Sequence, residues 1–158
     1  MRLANEKDIP AVCGIFDEAK VSLAAAGVDQ WQRGYPNQDN VAADIAAGTG
    51  YVLDGDAGIC GYMMLRGGEE AAYVKLLDGH WLTEGTPYLT IHRIAVTGSQ
   101  KQKGVARNML QKATEIARQR GCLSLRVDTH QDNRPMRNFL TKQGFVHCGR
   151  IALLDGPE

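Results

Sequence analysis

Long apolar runs are missing from this sequence. The longest span only a few residues, against the roughly 20 a helix needs to cross a bilayer, so no membrane-spanning helix is expected. The first eight residues, 1–8, place acids where a secretory leader carries its apolar segment, which makes the cytoplasm the expected location. Cysteine is sparse and scattered: Cys13, Cys60, Cys122 and Cys148 form no C-x-x-C pair. That spacing speaks against a zinc cluster or a disulfide framework and for four buried free thiols. Net charge is also missing, since 18 basic residues meet 18 acidic ones, so the whole molecule carries no polyanion signature. Repeats, low-complexity tracts and linker-like stretches are absent, and a single domain over residues 1–158 is expected. What is present is ordinary globular composition, 44% hydrophobic and 23% charged, which excludes a disordered chain.

Charge is unevenly placed. Residues 1–100 carry 7 Lys and Arg against 13 Asp and Glu, a balance of −6; residues 101–120 carry 6 against Glu115 alone, a balance of +5. One short segment therefore holds the positive potential. That suits a small anionic ligand better than a long nucleic acid, which would also call for aromatic interleaving and overall basicity. A solvated helix face is the other reading.

Apolar periodicity predicts a short strand at Met1–Leu3, a helix from about Asp8 to Ala26 with Pro10 in its first turn, and a loop over Gln30–Gln38. A second helix is predicted over Asn40–Ala47, followed by a hairpin of Tyr51–Leu53 and Ile59–Leu65 around the Gly-containing turn 54–58. Tyr88–Val96 reads as a strand. Gly104–Arg120 is the clearest helix: Val105, Met109, Leu110, Ala113, Ile116 and Ala117 fall on one face, and Gly121 ends it. Cys122–Thr129 alternates as a strand, Pro135–Gln143 reads as a helix, and Phe145–Leu154 as a last strand. Helices alternating with strands on either side of a hairpin predict an α/β (α+β) domain with a mixed sheet.

The stretch from Tyr88 to Ala106 carries the chemistry. It reads as a strand, a glycine-punctuated loop and a helix start, where unpartnered N–H groups and the positive dipole end suit a phosphate. Gly104 lets a phosphate approach the backbone, and Lys101 and Lys103 add charge beside it. The spacing of Gly98 and Gly104 fits neither a P-loop nor a dinucleotide fingerprint.

Here the chain resembles the GNAT superfamily of acetyl-CoA-dependent N-acetyltransferases. That family's signature is a strand ending I-A-V, then [RQ]-x-x-G-x-[GA] at a helix start; this sequence has Arg93-Ile-Ala-Val96 and Lys101-Gln-Lys-Gly-Val-Ala106. A second block, Leu125-Arg-Val-Asp-Thr-His followed by Asn133-Arg-Pro-Met-Arg-Asn-Phe-Leu140 and Gly144-Phe145, agrees with the family's later strand and helix. The resemblance implies a mixed β-sheet flanked by helices, whose two central parallel strands splay apart. The pantetheine arm of acetyl-CoA lies in that gap. The strands here are Tyr88–Val96 and Cys122–Thr129. Backbone groups of Ile94 and Val96 are then expected to pair with the arm. The segment Lys101, Gln102, Lys103, Gly104, Val105 and Ala106 is expected to hold the pyrophosphate, and Asn133 the far side. Asn133 also has the chemistry of a helix cap.

Three departures stand out. Lys101 replaces Arg or Gln, and Gln102 replaces a common Gly, both compatible with main-chain phosphate binding. Leu140 stands where many members carry a Tyr that protonates the leaving thiolate. The chain also stops at Glu158, where members usually continue into one more strand; that strand is absent, replaced by another segment, or supplied by the second subunit of a homodimer.

The implied reaction is direct attack of a small-molecule or peptide amine on the acetyl thioester. His92, on the cofactor strand, is the candidate base, or else a structural histidine. Strand parity places it with Ile94 and Val96, opposite Arg93, unless a bulge intervenes. Tyr88 is a candidate proton donor, with core packing as the plainer role. Trp31, Tyr35, Trp81 and His130 are candidates for the acceptor wall, or for packing loops down. A catalytically weak module that binds acyl-CoA is the alternative function.

Overall fold

The apolar faces read from the sequence meet on the two sides of one sheet. A computed structural model describes residues 1–85, 87–101 and 103–152; Gln102 and the end of the predicted last strand lie outside the described residues. In chain order the elements are β1 (Arg2–Leu3), α1 (Ile9–Ala25), α2 (Gln38–Ala46), β2 (Gly50–Gly55), β3 (Gly58–Gly67), α3 (Ala71–Val74) and β4 (Asp78–Gly79). Then follow β5 (Tyr88–Val96), α4 (Val105–Gln119), β6 (Ser124–Val127), α5 (Arg134–Lys142) and β7 (Gly149–Arg150). The main sheet has the order β1-β2-β3-β5-β6, with β5 and β6 parallel and the other neighbours antiparallel. This is the mixed α/β sheet that the sequence predicts.

β3 runs through the middle and is buried on both faces. Tyr62 and Met64 point to the layer of α1 and α2, where they join Val12, Ile15, Phe16 and Val41. Met63 and Leu65 point to the other layer, with Ile91, Ile94, Met109, Leu110 and Ala113. Gly61 lets α4 close on β3: a Cβ there would meet Met109 Sδ at 2.5 Å. The apolar stripe of α4 thus docks where its spacing predicts.

Four expectations change. α2 starts at Gln38, because Asn37 caps it by accepting the N–H groups of Asp39 and Asn40. α3 and β4 were not legible in the sequence. Among its described residues, the predicted strand Phe145–Leu154 contributes only β7, which pairs with β4 in a separate two-stranded sheet instead of extending the main one. All four cysteines are free thiols, but only Cys60 is buried. No helix among the described residues is long and apolar enough to cross a membrane.

Candidate active site

The parallel ladder between β5 and β6 is short. It pairs Tyr88 with Ser124, Leu89 with Leu125, Thr90 with Arg126 and Ile91 with Val127, and there it stops. β5 continues through His92–Val96 against β3 alone among the described residues, so its other edge is left without a ladder partner. Thr97 N–H donates to Cys60 C=O on the β3 side. Alternation along the strand therefore turns the backbone groups of Ile94 and Val96 the other way, toward the open edge.

A bulge sits where the ladder ends. Tyr62 pairs with Ala95 and Met64 with His92, so β5 carries one more residue than β3 across this step. Arg93 takes a left-handed conformation, φ +52°, a position costing of order 1–3 kcal/mol for a residue with a side chain. The bulge breaks the expected parity. Arg93 points to the α1–α2 side, onto which His92 beside Met64 also faces, while Ile94 turns into the α4 layer. His92 and Ile94 are therefore not on one face.

The Arg93 guanidinium grips both carboxylate oxygens of Asp44, at 2.5 and 3.0 Å, and donates to Tyr35 Oη at 2.6 Å. Asp44 also accepts the Tyr62 hydroxyl at 2.6 Å. Asp44 is buried and Arg93 mostly so, with side-chain exposures of 5% and 11%. Burial alone would depress the Arg93 guanidinium, but the charges and hydrogen bonds of Tyr35 and Asp44 outweigh it and hold it above its ordinary range. The Tyr62 phenol is pushed far up, first by burial and then by Asp44.

After β5 the chain makes one 3-10 turn (Gly98–Gln100) and enters α4 through Gly104 at φ +83°. Asn108 N–H donates to Gly104 C=O, which makes the amides of Val105, Ala106 and Arg107 those of the first turn, lacking intrahelical acceptors. No acidic residue occupies that turn. Lys103 is exposed beside it, whereas Lys101 reaches back to donate to Ser22 Oγ at 2.9 Å. Glu18 of α1 accepts Gly98 N–H at 2.6 Å and fixes the loop.

His92 Nε2 lies 3.3 Å from Glu70 Oε2, with side-chain exposures of 18% and 19%. Glu70 also stands 3.6 Å from Arg66 and donates its N–H to the Tyr88 hydroxyl at 3.0 Å. Sequence reading missed Glu70, whose only local signal is an acid beside a glycine pair. The Tyr88 ring lies under the Arg126 guanidinium at 3.8 Å, with Trp81 on the same guanidinium at 4.2 Å. Trp81 Nε1 donates to Tyr73 C=O, and the Tyr73 hydroxyl donates to Asp128, just past β6.

The remaining candidates divide. Trp31 packs edge-on against Phe16 at 5.7 Å. Trp81 and His130 line one groove of about 1170 Å³ with Gln30, Tyr73 and Asp128, while His92, Tyr88, Trp31 and Tyr35 lie outside it. Asn133 caps α5 by accepting Met136 N–H and donates to Gln30 at 2.9 Å, so its side chain is engaged twice. Leu140 is buried and apolar.

These features fit a pantetheine arm ending in a diphosphate. The open β5 edge offers backbone pairing, and the first turn of α4 offers unneutralised amides. Just past the last β6 pair, Thr129 Oγ1 is buried without a partner among the described residues.

The class defined by this fold is borne out by known proteins. Residues 23–145 match the acetyltransferase (GNAT) family model. A GNAT-family acetyltransferase from Streptococcus agalactiae 2603 is 34% identical and superposes with a TM-score of 0.87, covering 96% of this chain and 87% of that one. AAC(6')-Iy, crystallised with the bisubstrate analogue CoA-S-monomethyl-acetylneamine, shares the fold at 18% identity, with a TM-score of 0.67 and 98% and 95% coverage. A transcriptional regulator from Bacillus halodurans C-125 shares it at 16% identity, with a TM-score of 0.69 and 98% and 97% coverage. The chain belongs to the GNAT acetyltransferase family.

Proposed function

We propose that this protein transfers an acetyl group from acetyl-CoA to a primary amine of a small molecule or peptide. The observation that carries the reading is the end of the β5–β6 ladder at Ile91 and Val127, beside a helix start with no acid in its first turn. When bound, acetyl-CoA supplies the activated acetyl thioester. The backbone of Ile94 and Val96 pairs with the pantetheine arm, and the amides of Gly104, Val105 and Ala106, with Lys103, receive the diphosphate. Gln102 belongs to the same stretch of sequence. Lys101 serves through Ser22, fixing the loop, and Asn133 holds the start of α5 at the far wall.

Chemistry then needs a neutral amine. A lysine-like amine in water titrates near pH 10.4, so only about one molecule in a thousand or fewer is neutral at pH 7. His92 removes the proton, a contribution of typically 10²–10⁴-fold. A backbone N–H on the open edge of β5 stabilises charge developing on the carbonyl oxygen. Tyr88 accepts the Glu70 amide N–H, which fixes its hydroxyl beside the His92–Glu70 pair and leaves its own O–H free to donate a proton. Buried Leu140 leaves α5 no donor at its position, so the leaving thiolate is protonated by water. Tyr35, Trp31, Trp81 and His130 frame the acceptor side, and acids such as Glu70 and Asp128 favour a cationic acceptor.

Incubation with acetyl-CoA and an amine panel, followed by free-thiol release, tests this. Turnover above background with at least one amine is expected. Tight CoA binding without release across a broad panel would favour the non-catalytic acyl-CoA-binding module, a reading that Leu140 supports.

A further inference from the structure

The left-handed residue in β5 is an arginine rather than a glycine, and its side chain is anchored in the opposite layer from the one regular alternation would give it. Ile91 faces α4, so an unbulged strand would send residue 93 into the same apolar layer of Met63, Leu65 and Met109. A guanidinium cannot enter that layer without losing its partners. It turns instead to Asp44, a buried carboxylate of α2 with no place in the cleft. Attraction to Asp44 and exclusion from the α4 layer both favour the same backbone. That backbone sits two residues past the last β5–β6 pair, Ile91 with Val127.

We propose that Arg93, held by Asp44, is a positioning residue that imposes the β5 bulge and thereby keeps the cleft between β5 and β6 open. The link to cofactor binding rests on the acetyltransferase reading above; the link to the bulge does not. Tyr35 Oη is a third partner of the guanidinium, so the same anchor ties the acceptor-side loop to the cleft.

Two double variants separate backbone conformation from side-chain loss. Arg93→Gly with Asp44→Asn, and Arg93→Val with Asp44→Asn, both delete the ion pair and leave no unpaired buried charge. They differ in tolerance for φ +52°, which glycine adopts freely and β-branched valine resists. The glycine double permits the conformation but no longer has the anchor that imposes it, so its CoA affinity, measured by calorimetry, is expected to fall several-fold. The valine double is expected to lose about tenfold or more. Amide exchange read by NMR supplies an arm independent of ligand: in the valine double the His92–Val96 amides should slow as the edge pairs with β6. Wild-type affinity and wild-type exchange in the glycine double, which lacks the anchor, would overturn the proposal. Wild-type protein that binds no CoA, with the exchange contrast intact, would remove the cofactor reading and leave the bulge anchor standing. Should the valine double not fold, Asp44→Asn alone keeps the strained residue and weakens its anchor. A several-fold loss of CoA affinity is then expected, and no loss overturns the proposal.

Discussion

Single residues carry most of the chemistry assigned to this chain, and their roles differ in what should be measured. An imidazole that must be neutral to accept a proton fails as pH falls, so wild-type kcat/KM should show an acidic limb. His92→Gln should lower kcat/KM by about 10²-fold and lose that limb while leaving CoA affinity near normal; an unaltered pH profile removes His92 as the base. Gly104 acts through conformation, because a Cβ there would meet nothing within 4 Å, yet φ is +83°. Gly104→Ala should therefore cost about 1 kcal/mol of stability and little affinity. Gly104→Glu should abolish CoA binding in calorimetry, since it adds a carboxylate at the phosphate end of α4. Unchanged affinity would discredit the loop.

At the scale of elements, the entry into α1 is held by charge. Asp8 accepts Asn5 N–H and two donors from Arg2, and Arg2 also bonds Asp54 at the end of β2. The Arg2 hydrogen bond outweighs burial and keeps the Asp8 carboxyl below its usual range. A carboxyl depressed in the folded state stabilises fully above its unfolded pKa, near 3.9, and the benefit is lost as pH falls toward the folded value. Asp8→Asn should thus lower stability by about 1–2 kcal/mol at pH 7, and its stability should fall less steeply below about pH 4 than that of wild type. Urea denaturation at several pH values checks this; parallel acid limbs would refute it.

For the molecule as a whole, what the sequence made legible followed the length and regularity of each element. α4 was readable because Val105, Met109, Leu110, Ala113 and Ala117 repeat over four turns with Gly121 behind them. The phosphate end of the candidate site came with it. α3 and β4 span four and two residues, too short to show a period. Phe145–Leu154 looks like a strand by composition, yet Phe145 packs in the α4 layer and, among the described residues, only Gly149–Arg150 finds a strand partner. The bulge was unreadable for another reason: Arg93 takes its conformation from Asp44, 49 positions away. Glu70 joined His92 across 22 positions by the same kind of long-range contact.

The pairing of β4 with β7 has its own consequence. Gly79 and Gly149 approach so closely that a Cβ on Gly149 would collide with Asp78 C=O, and Arg150 clasps the Asp78 carboxylate. Gly149→Ala should loosen this clasp and open residues 71–85 to limited proteolysis while the main sheet keeps its melting transition; simultaneous loss of both would show the clasp to be part of the global fold. On the ribosome, Asp78 emerges some 70 residues before its partner. The segment bearing Trp81 therefore waits without this clasp until Arg150 has emerged, exposed to nascent-chain chaperones long after the neighbouring strands have begun to pair.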